Sequence, residues 1–344
     1  MRRIVPNALP AIAVLVLLEV AVNVVLRPQD GPPALGAVVE TYLLAFGAVA
    51  GLLAILTSLG SESAGARIRL VGAVMIVVAV VRLGGEWWSP TPTMAAGTNP
   101  GPVELQVMTW NLAAGSRTAA DTVSGITGSG ADLVALQELT PDVATAIGAD
   151  PALRARFPYR ILEARDGTEG LGLLSRLPLV VGSYSVGPPV LRAGLLLPDG
   201  RSVQVLDAHP IAPEVIHLGG VPVGLDTRQR DTELRAIRDT VAAMPDPGAA
   251  LVLGDLNLTP FEPGYAILTG GTPGPALTDA HEAVGTGTGF TWRPTSLEGL
   301  KIGLLRIDHV LSGAWLRPIA AREDCALPGD HCRLLVTVET TAGG

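Results

Sequence analysis

Asp255 and Asn257 stand two residues apart at the end of the run Ala249-Ala250-Leu251-Val252-Leu253-Gly254. Five apolar residues read as a buried strand, and the glycine lets another backbone come close. Both short polar side chains then point in the same general direction. A carboxylate there can orient a water or take its proton, and a carboxamide can donate to a phosphoryl oxygen. A tight Asx turn produces the same pattern, and both readings stay open. The run Asp132 to Leu136 delivers Gln137-Glu138 in a similar way. A carboxylate at the end of a buried strand needs a partner, and a hard divalent cation such as Mg²⁺ is one.

Four further positions carry chemistry. Asn111 closes Met108-Thr109-Trp110-Asn111 and, taken alone, reads as a turn or cap residue. His209, in Asp207-Ala208-His209-Pro210, can donate to a phosphoryl oxygen or simply bond a loop carbonyl. In Arg306-Ile307-Asp308-His309-Val310-Leu311 the acid and the imidazole face opposite sides of a regular strand, so only one of them reaches any given site. The pair Asp330-His331 lies in a loop and offers a metal ligand next to a general base.

The elements that must position these residues alternate between strands and helices. Val103 to Trp110, Asp132 to Leu136, Gly170 to Leu174 and Val203 to Leu206 read as strands. Thr227 to Ala243 reads as a helix that puts Leu234, Ile237 and Val241 on one face. Ile211 to Asp226, rich in Gly, Val and Pro, predicts irregular backbone that would shape substrate choice.

Ahead of these elements the chain changes character, and the positive mean hydropathy of +0.41 is concentrated before residue 89. Ala8 to Leu26 and Ala34 to Leu59 are long enough to cross a hydrocarbon core. Leu70 to Val81 is short, and spans if Arg69 and Arg82 snorkel and Gly84 to Trp88 complete the last turn. No small-x-small cleavage site follows the first segment, which argues for an anchor rather than a removed signal. Arg2, Arg3, Arg67 and Arg69, against a lone Arg27 in the first loop, place the N-terminus in the cytoplasm. Three crossings then put everything after Trp88 outside, with Trp87 and Trp88 at the interface. Glu19 and Glu40 fall in the outer half of the membrane, where a carboxyl is either functional or packed and paired; the packing reading is preferred. Ser89 to Pro102 holds Pro90, Pro92, Pro100 and Pro102 and reads as an extended tether. The organisation expected is therefore an anchor at 1–88, a linker at 89–102 and one catalytic domain at 103–344.

After residue 100 there are 18 basic and 27 acidic residues, a net charge of −9, and the whole chain has a single lysine, Lys301. That balance is wrong for non-specific binding of nucleic acid, which depends on many cations neutralising phosphates. Cys325 and Cys332, the only cysteines, are separated by six residues and form either a short disulfide loop or two separate buried thiols.

The series Trp110-Asn111, Gln137-Glu138, Gly172-Leu173-Leu174-Ser175-Arg176, His209, Gly254-Asp255-Leu256-Asn257, Ile307-Asp308-His309 and Gly329-Asp330-His331 resembles the endonuclease/exonuclease/phosphatase superfamily, which is deoxyribonuclease I-like. The resemblance implies a four-layer α/β/β/α sandwich and metal-assisted hydrolysis of a phosphate ester. It implies Glu138 as the main ligand of Mg²⁺ or Mn²⁺, with Asn111 and Asp330 helping to hold metal or phosphate. It gives Asp255 the attacking water, His209 and Asn257 the charge on the phosphoryl oxygens, and His331, held by Asp308, the part of acid or base. His217, His281 and His309 match no position of the pattern. Gly329 departs from it, standing where Ser is usual, as does Leu334 where Pro is common, and the acidic partner of His209 has no clear counterpart beyond Glu169. Three spans ahead of such a domain resemble the glycopeptide (teicoplanin) resistance membrane proteins. That implies a lipid bilayer as partner and a lipid-linked phosphate or pyrophosphate as substrate at the outer membrane face. An extracytoplasmic nuclease and a catalytically silent scaffold of the same fold are the alternatives. The acidic balance disfavours the first, and the complete set of carboxylates, costly to bury unpaired, disfavours the second.

Overall fold

A computed structural model of the chain describes residues 5–59, 63–88, 102–114, 117–271 and 274–341. Arg2 and Arg3 lie outside the described residues, as does the Pro-rich stretch from Ser89 to Gly101. The chain gathers into two compact units. One comprises the residues up to Trp87 with Pro213–Arg228 and Thr259–Tyr265, and the other comprises the remainder.

In the first unit, α1 (Val5–Leu26), α2 (Gly31–Val38), α3 (Glu40–Thr57) and α4 (Ser63–Trp87) follow one another. Three of them contain windows long and apolar enough to cross a membrane: Ala8–Leu26, Glu40–Thr57 and Gly65–Trp87. Ala13, Val16, Val20, Leu44, Met75 and Ala79 pack among the helices, while Leu15, Leu18, Phe46, Leu52, Val77 and Val80 are exposed. Large apolar side chains on the outside are the distribution expected of helices surrounded by lipid rather than water.

Two expectations about these helices are corrected. The stretch from Ala34 to Leu59 is two helices, broken at Val39 (φ −97°, ψ 12°). The break turns Glu40 inward, where it is fully buried and accepts hydrogen bonds from Asn23 Nδ2 and Arg82 Nε. The third candidate span, expected to be the shortest, is the longest at 23 residues, within the 25-residue α4. Arg69 and Arg82 do not end it, because both find an acceptor while remaining helical: Arg82 on Glu40, and Arg69 on the Ser58 carbonyl.

The strands are β1 (Glu104–Asn111), β2 (Leu133–Gln137), β3 (Tyr159–Glu163), β4 (Leu171–Ser175), β5 (Leu179–Val186), β6 (Pro189–Leu196), β7 (Ser202–Ala208), β8 (Glu214–Leu218), β9 (Val221–Asp226), β10 (Ala250–Asp255), β11 (Thr278–Asp279), β12 (Asp308–Ser312), β13 (Leu316–Asp324) and β14 (Arg333–Thr340). Two six-stranded sheets, ordered β13-β14-β1-β2-β4-β3 and β11-β12-β10-β7-β6-β5, belong to the second unit. Leu105, Val107, Leu133, Ala135 and Leu173 of the first sheet form one core with Ala193, Val205, Leu251, Leu253 and Val310 of the second. The alternate residues Met108, Trp110, Val134 and Leu136 pack on the other side with Ile126 of α5 (Ala119–Thr127), Val143 and Ile147 of α6 (Pro141–Ala149) and Leu153 of α7 (Pro151–Arg156). On the second sheet's side, α8 (Arg228–Ala242) buries Leu234, Ile237 and Val241. The result is the four-layer α/β/β/α sandwich. Burial on both faces explains why the central strands read as unbroken apolar runs.

The topology decides where polar residues collect. β1 and β2 are parallel, as are β7 and β10, while β14 runs antiparallel to β1 and β12 antiparallel to β10. The carboxyl ends of four strands and the amino ends of two therefore meet at one end of the sandwich. One expectation fails in the loops: 211–226 is not irregular, since β8 and β9 pair as a hairpin. Its two-residue turn is Gly219-Gly220, both at positive φ (59° and 82°), the backbone that tight hairpins demand and glycine supplies.

The close approach foreseen at Gly254 is present, for a Cβ there would lie 1.9 Å from the Ala208 carbonyl oxygen. Gly254→Ala must push β10 away from β7, a cost of about 1–3 kcal/mol or more. A circular-dichroism melt of the purified protein is expected to show a clearly lowered transition temperature; an unchanged melt would contradict the contact.

Candidate active site

The site grows from two short turns. At the end of β1, Asn111 Oδ1 accepts the Ala113 N–H at 2.8 Å; at the end of β10, Asp255 Oδ1 accepts the Asn257 N–H at 2.9 Å. Each is an Asx-type turn that spends one side-chain oxygen on fixing the rotamer. The other end of each side chain is left to face its counterpart, and Asn111 Nδ2 donates to Asp255 Oδ2 at 2.9 Å. The same amide donates to Glu138 Oε1 at 3.0 Å. Glu138 directly follows β2 and takes a left-handed backbone (φ 56°), which turns its carboxylate toward the end of β1.

Two imidazoles complete the group. His209, just beyond β7, directs Nδ1 to the Thr168 carbonyl at 3.0 Å, which leaves Nε2 3.6 Å from Asp255 Oδ2 and 3.7 Å from Glu138 Oε1. His331, two residues before β14, has Nδ1 3.0 Å from Asp308 Oδ2 and Nε2 3.6 Å from Asp255 Oδ2. Asp308 opens β12, and its neighbour His309 does face the other way, bonding buried Asp279 at 2.7 Å and the Leu258 carbonyl at 3.0 Å.

The electrostatics follow from burial. Loss of water raises the Asp255 carboxyl above its ordinary range, and Asp308 adds to this, while His331, His209 and the Asn111 hydrogen bond pull it back. Burial alone would lower His331, but the carboxylates of Asp308 and Asp255 outweigh it and hold the imidazole at about 9. Without a cation on its ring this favours the protonated imidazole at neutral pH.

Asp255, Asp308 and His331 present ligand atoms within 4.8 Å of one another, a candidate acidic metal site. The oxygens fit a hard cation. Asp308 Oδ1 and Asp330 Oδ1 are buried with no hydrogen-bond partner, and buried anionic oxygens without a donor are costly unless a cation satisfies them. Of the residues expected at the site, Asn111, Glu138, His209, Asp255, Asp308 and His331 are brought together. Asp330 lies beside His331, but no described hydrogen bond or ion pair joins its carboxylate to Glu138 or Asn111. Asn257 sits at φ 53° and donates through Nδ2 to the Pro210 carbonyl at 3.0 Å. Glu169 is exposed, and the group that holds His209 Nδ1 is the Thr168 carbonyl rather than Glu169.

Further residues support the site from below and behind. Gln137 Nε2 donates to Asp207 Oδ1 at 2.6 Å across the two sheets, and Thr109 Oγ1 donates to Gln137 Oε1 at 3.2 Å. All three residues are fully buried, and burial raises the Asp207 carboxyl well above its usual range, against the hydrogen bonds that lower it. The segment leading to His331 is closed by a Cys325–Cys332 disulfide. Arg117, stacked over Trp110, donates to the carbonyls of Pro328 and His331. Arg293 takes the Leu327 and Asp330 carbonyls through its side chain and its backbone N–H respectively. Gly329 has φ 111°, and a Cβ there would lie 2.3 Å from Arg117 Cζ. The glycine that departs from the expected pattern is the one on which an arginine rests. Polar residues inside apolar runs, such as Gln137 and Asp207, were the signal available for the cross-sheet bond; nothing local marked Arg117.

Comparison with known proteins agrees with this geometry. The family model for the endonuclease/exonuclease/phosphatase family matches residues 108–331. Among solved structures, an endonuclease/exonuclease/phosphatase from Beutenbergia cavernae is 17% identical with a TM-score of 0.51, over 69% of this chain and 72% of that one. An AP endonuclease from Archaeoglobus fulgidus is 14% identical with a TM-score of 0.50, over 67% of this chain and 98% of that one. At these identities the likeness is one of fold. None of the curated proteins matches the sequence. The match spans Asn111 to His331 and so takes in every strand end at which these side chains meet, and the chain belongs to the endonuclease/exonuclease/phosphatase family, whose members hydrolyse phosphate esters.

Proposed function

We propose that this chain is a membrane-anchored, divalent-cation-dependent phosphoesterase, with residues 1–88 as anchor and 103–344 as catalytic domain. The observation that carries it is the convergence of Asn111, Glu138, His209, Asp255, Asp308 and His331 at one end of the sandwich. Glu138, whose Oε2 accepts no hydrogen bond from a described residue, would hold Mg²⁺ or Mn²⁺ together with Asp330, and Asn111 steadies the carboxylates around it. When bound, the cation supplies positive charge to the phosphoryl oxygens and to the leaving group.

The chain's own residues do the rest. Asp255 Oδ2 lies against both imidazoles and is placed to orient a water for in-line attack at phosphorus. One hydrogen of the Asn257 amide is a donor for charge that develops on the phosphoryl oxygens, and His209, whose Nδ1–H is given to the Thr168 carbonyl, joins it through Nε2 when the ring carries its second proton. His331, protonated and locked by Asp308, is the group poised to give a proton to the departing ester oxygen.

The substrate class rests on the anchor. Three apolar helices ahead of the domain resemble the organisation of glycopeptide (teicoplanin) resistance membrane proteins. An acidic domain held at a bilayer favours a lipid-linked phosphate or pyrophosphate over nucleic acid. The disulfide is at home in an oxidising compartment, which supports placement of the domain outside the cytoplasm.

Full-length protein in nanodiscs is expected to release phosphate from lipid phosphates with Mg²⁺ or Mn²⁺ and to lose this activity in EDTA. Asp255→Ala and His331→Ala are expected to lower turnover by roughly 10²–10⁴-fold with the fold intact. Cleavage of DNA in preference to lipid phosphates would replace this substrate with that of a nuclease, and activity on neither would favour the silent scaffold.

The proton on His331 has a pH signature. A cation required for turnover is present below about 9, so activity falls as pH rises through that value. Asp308→Asn removes the largest of the influences that raise it, and the alkaline limb is expected to move down by roughly one pH unit or more. A limb that stays in place would exclude His331 as the acid. A periplasm-sensitive reporter fused after Trp88 is expected to be active; a silent fusion would place the domain in the cytoplasm.

A further inference from the structure

The hairpin β8–β9 is apolar where it is exposed. From Val215 to Gly224 its one ionisable residue is His217, and Val215, Ile216, Leu218 and Val221 all lie open, Leu218 to 74%. Successive residues of a strand point to opposite faces, so Val215 and Ile216 make both faces apolar. An isolated two-stranded ribbon is marginal in water, and an uncovered apolar tip marks a place where something other than water is met. Charge begins only at the open end, where Arg228 pairs with Asp226 and with Asp30.

The hairpin belongs to the same compact unit as the membrane-length helices, and its pairing fixes where it points. Asp226 and Leu225 form antiparallel bridges to Asp30 and Gly31, and β9 continues alongside α2. Going back from Asp226 toward the turn therefore follows the chain from Asp30 into α2. That helix lies back along α1. A Cβ at Gly36 would sit 2.0 Å from Glu19 Oε1, and Glu40 takes a hydrogen bond from Asn23. Residues 36 and 40 are thus level with 19 and 23, below the end of α1 at Leu26. The open end of the hairpin stays at the polar end of α1, and its tip is aimed along the apolar bodies of the helices.

We propose that the hairpin tip, Leu218 to Val221, is a lipid-inserted wedge that enters the leaflet at the C-terminal end of α1, beside the helices. Its occupant is the bilayer. The tip is exposed apolar surface in the same compact unit as the exposed apolar residues of α1 and α3, and its charges are confined to the open end. This inference rests on the membrane reading of the helices and adds a fourth point of contact with lipid, made by a segment that follows His209 in the chain.

Because the native cysteines are paired, single cysteines can be spin-labelled without touching them. Leu218→Cys and, separately, Val221→Cys would be labelled in full-length protein in phosphatidylcholine/phosphatidylglycerol nanodiscs. Val49→Cys on the exposed face of α3 serves as the lipid reference, and Asp239→Cys on α8 as the water reference. Collision with oxygen, which partitions into lipid, is compared with collision with a water-soluble nickel chelate. The expected result is that the 218 and 221 labels follow the Val49 label, with oxygen dominant, while the Asp239 label is dominated by nickel. Nickel-dominated labels at both 218 and 221, with the Val49 label in lipid, would overturn the wedge alone. A nickel-dominated label at Val49 would overturn the membrane reading and the wedge with it.

Discussion

The carboxylate of Asp255 is 2% exposed and stands among other acids, and most of the architecture follows from keeping it there. A buried carboxylate is costly unless hydrogen-bonded or charge-paired. Asp308 and Glu138 nearby make the position worse, and three groups make it tenable: the Asn111 amide, His209 and His331. Each comes from a different strand end. Asn111 and Glu138 belong to one sheet and Asp255, His209 and Asp308 to the other, so the sandwich has to hold the two sheets in fixed register at this end. The buried bond from Gln137 to Asp207 ties them together directly beneath the cluster.

The polar positions were legible in the sequence because they interrupt apolar runs. Asn111, Glu138, His209 and Asp255 all follow strands buried on both faces, and in such a run a polar residue has no solvent to face. What the residues alone left open was the choice between a structural and a chemical part, and the geometry leaves room for both in some of them. Asp255 does form an Asx turn with Asn257, and His209 does bond a loop carbonyl. These local bonds fix the side chains by one end so that the other end is presented to the site. A rotamer locked by its own loop is also one that loses little freedom when a substrate arrives.

Other features were illegible for physical reasons. Arg117 lies far in sequence from the loop it clamps, and its task depends on the absence of a side chain at Gly329. A glycine in place of the usual serine reads as a loss, yet here the vacated volume holds a guanidinium that binds the carbonyls of Pro328 and His331. The break at Val39 is hidden because Glu40 and Thr41 interrupt the apolar run only briefly, and hydropathy counts residues without knowing where a helix bends. The length of α4 was underestimated because two arginines were read as boundaries, when each had an acceptor within reach. The hairpin's one local mark is Gly219-Gly220, a two-residue turn between runs rich in β-branched residues.

The positive groups of the domain also bear on what it binds. Arg117, Arg293 and Arg333 are buried and spent on backbone carbonyls and on Asp324, while Arg230 and Arg306 are engaged by Asp231 and Asp279. Arginines committed in this way contribute little to an electrostatic groove for a polyanion, whose affinity scales with the number of phosphates neutralised. A substrate with one or two phosphates asks less. The cation-supporting carboxylates, one protonated imidazole and a few amide donors are enough to recognise it, and concentrating such a substrate in two dimensions at a bilayer raises its encounter rate without any added charge on the protein. The engagement of these arginines and the apolar helices before the domain fit the proposed class of substrate, a small phosphate ester held in the membrane.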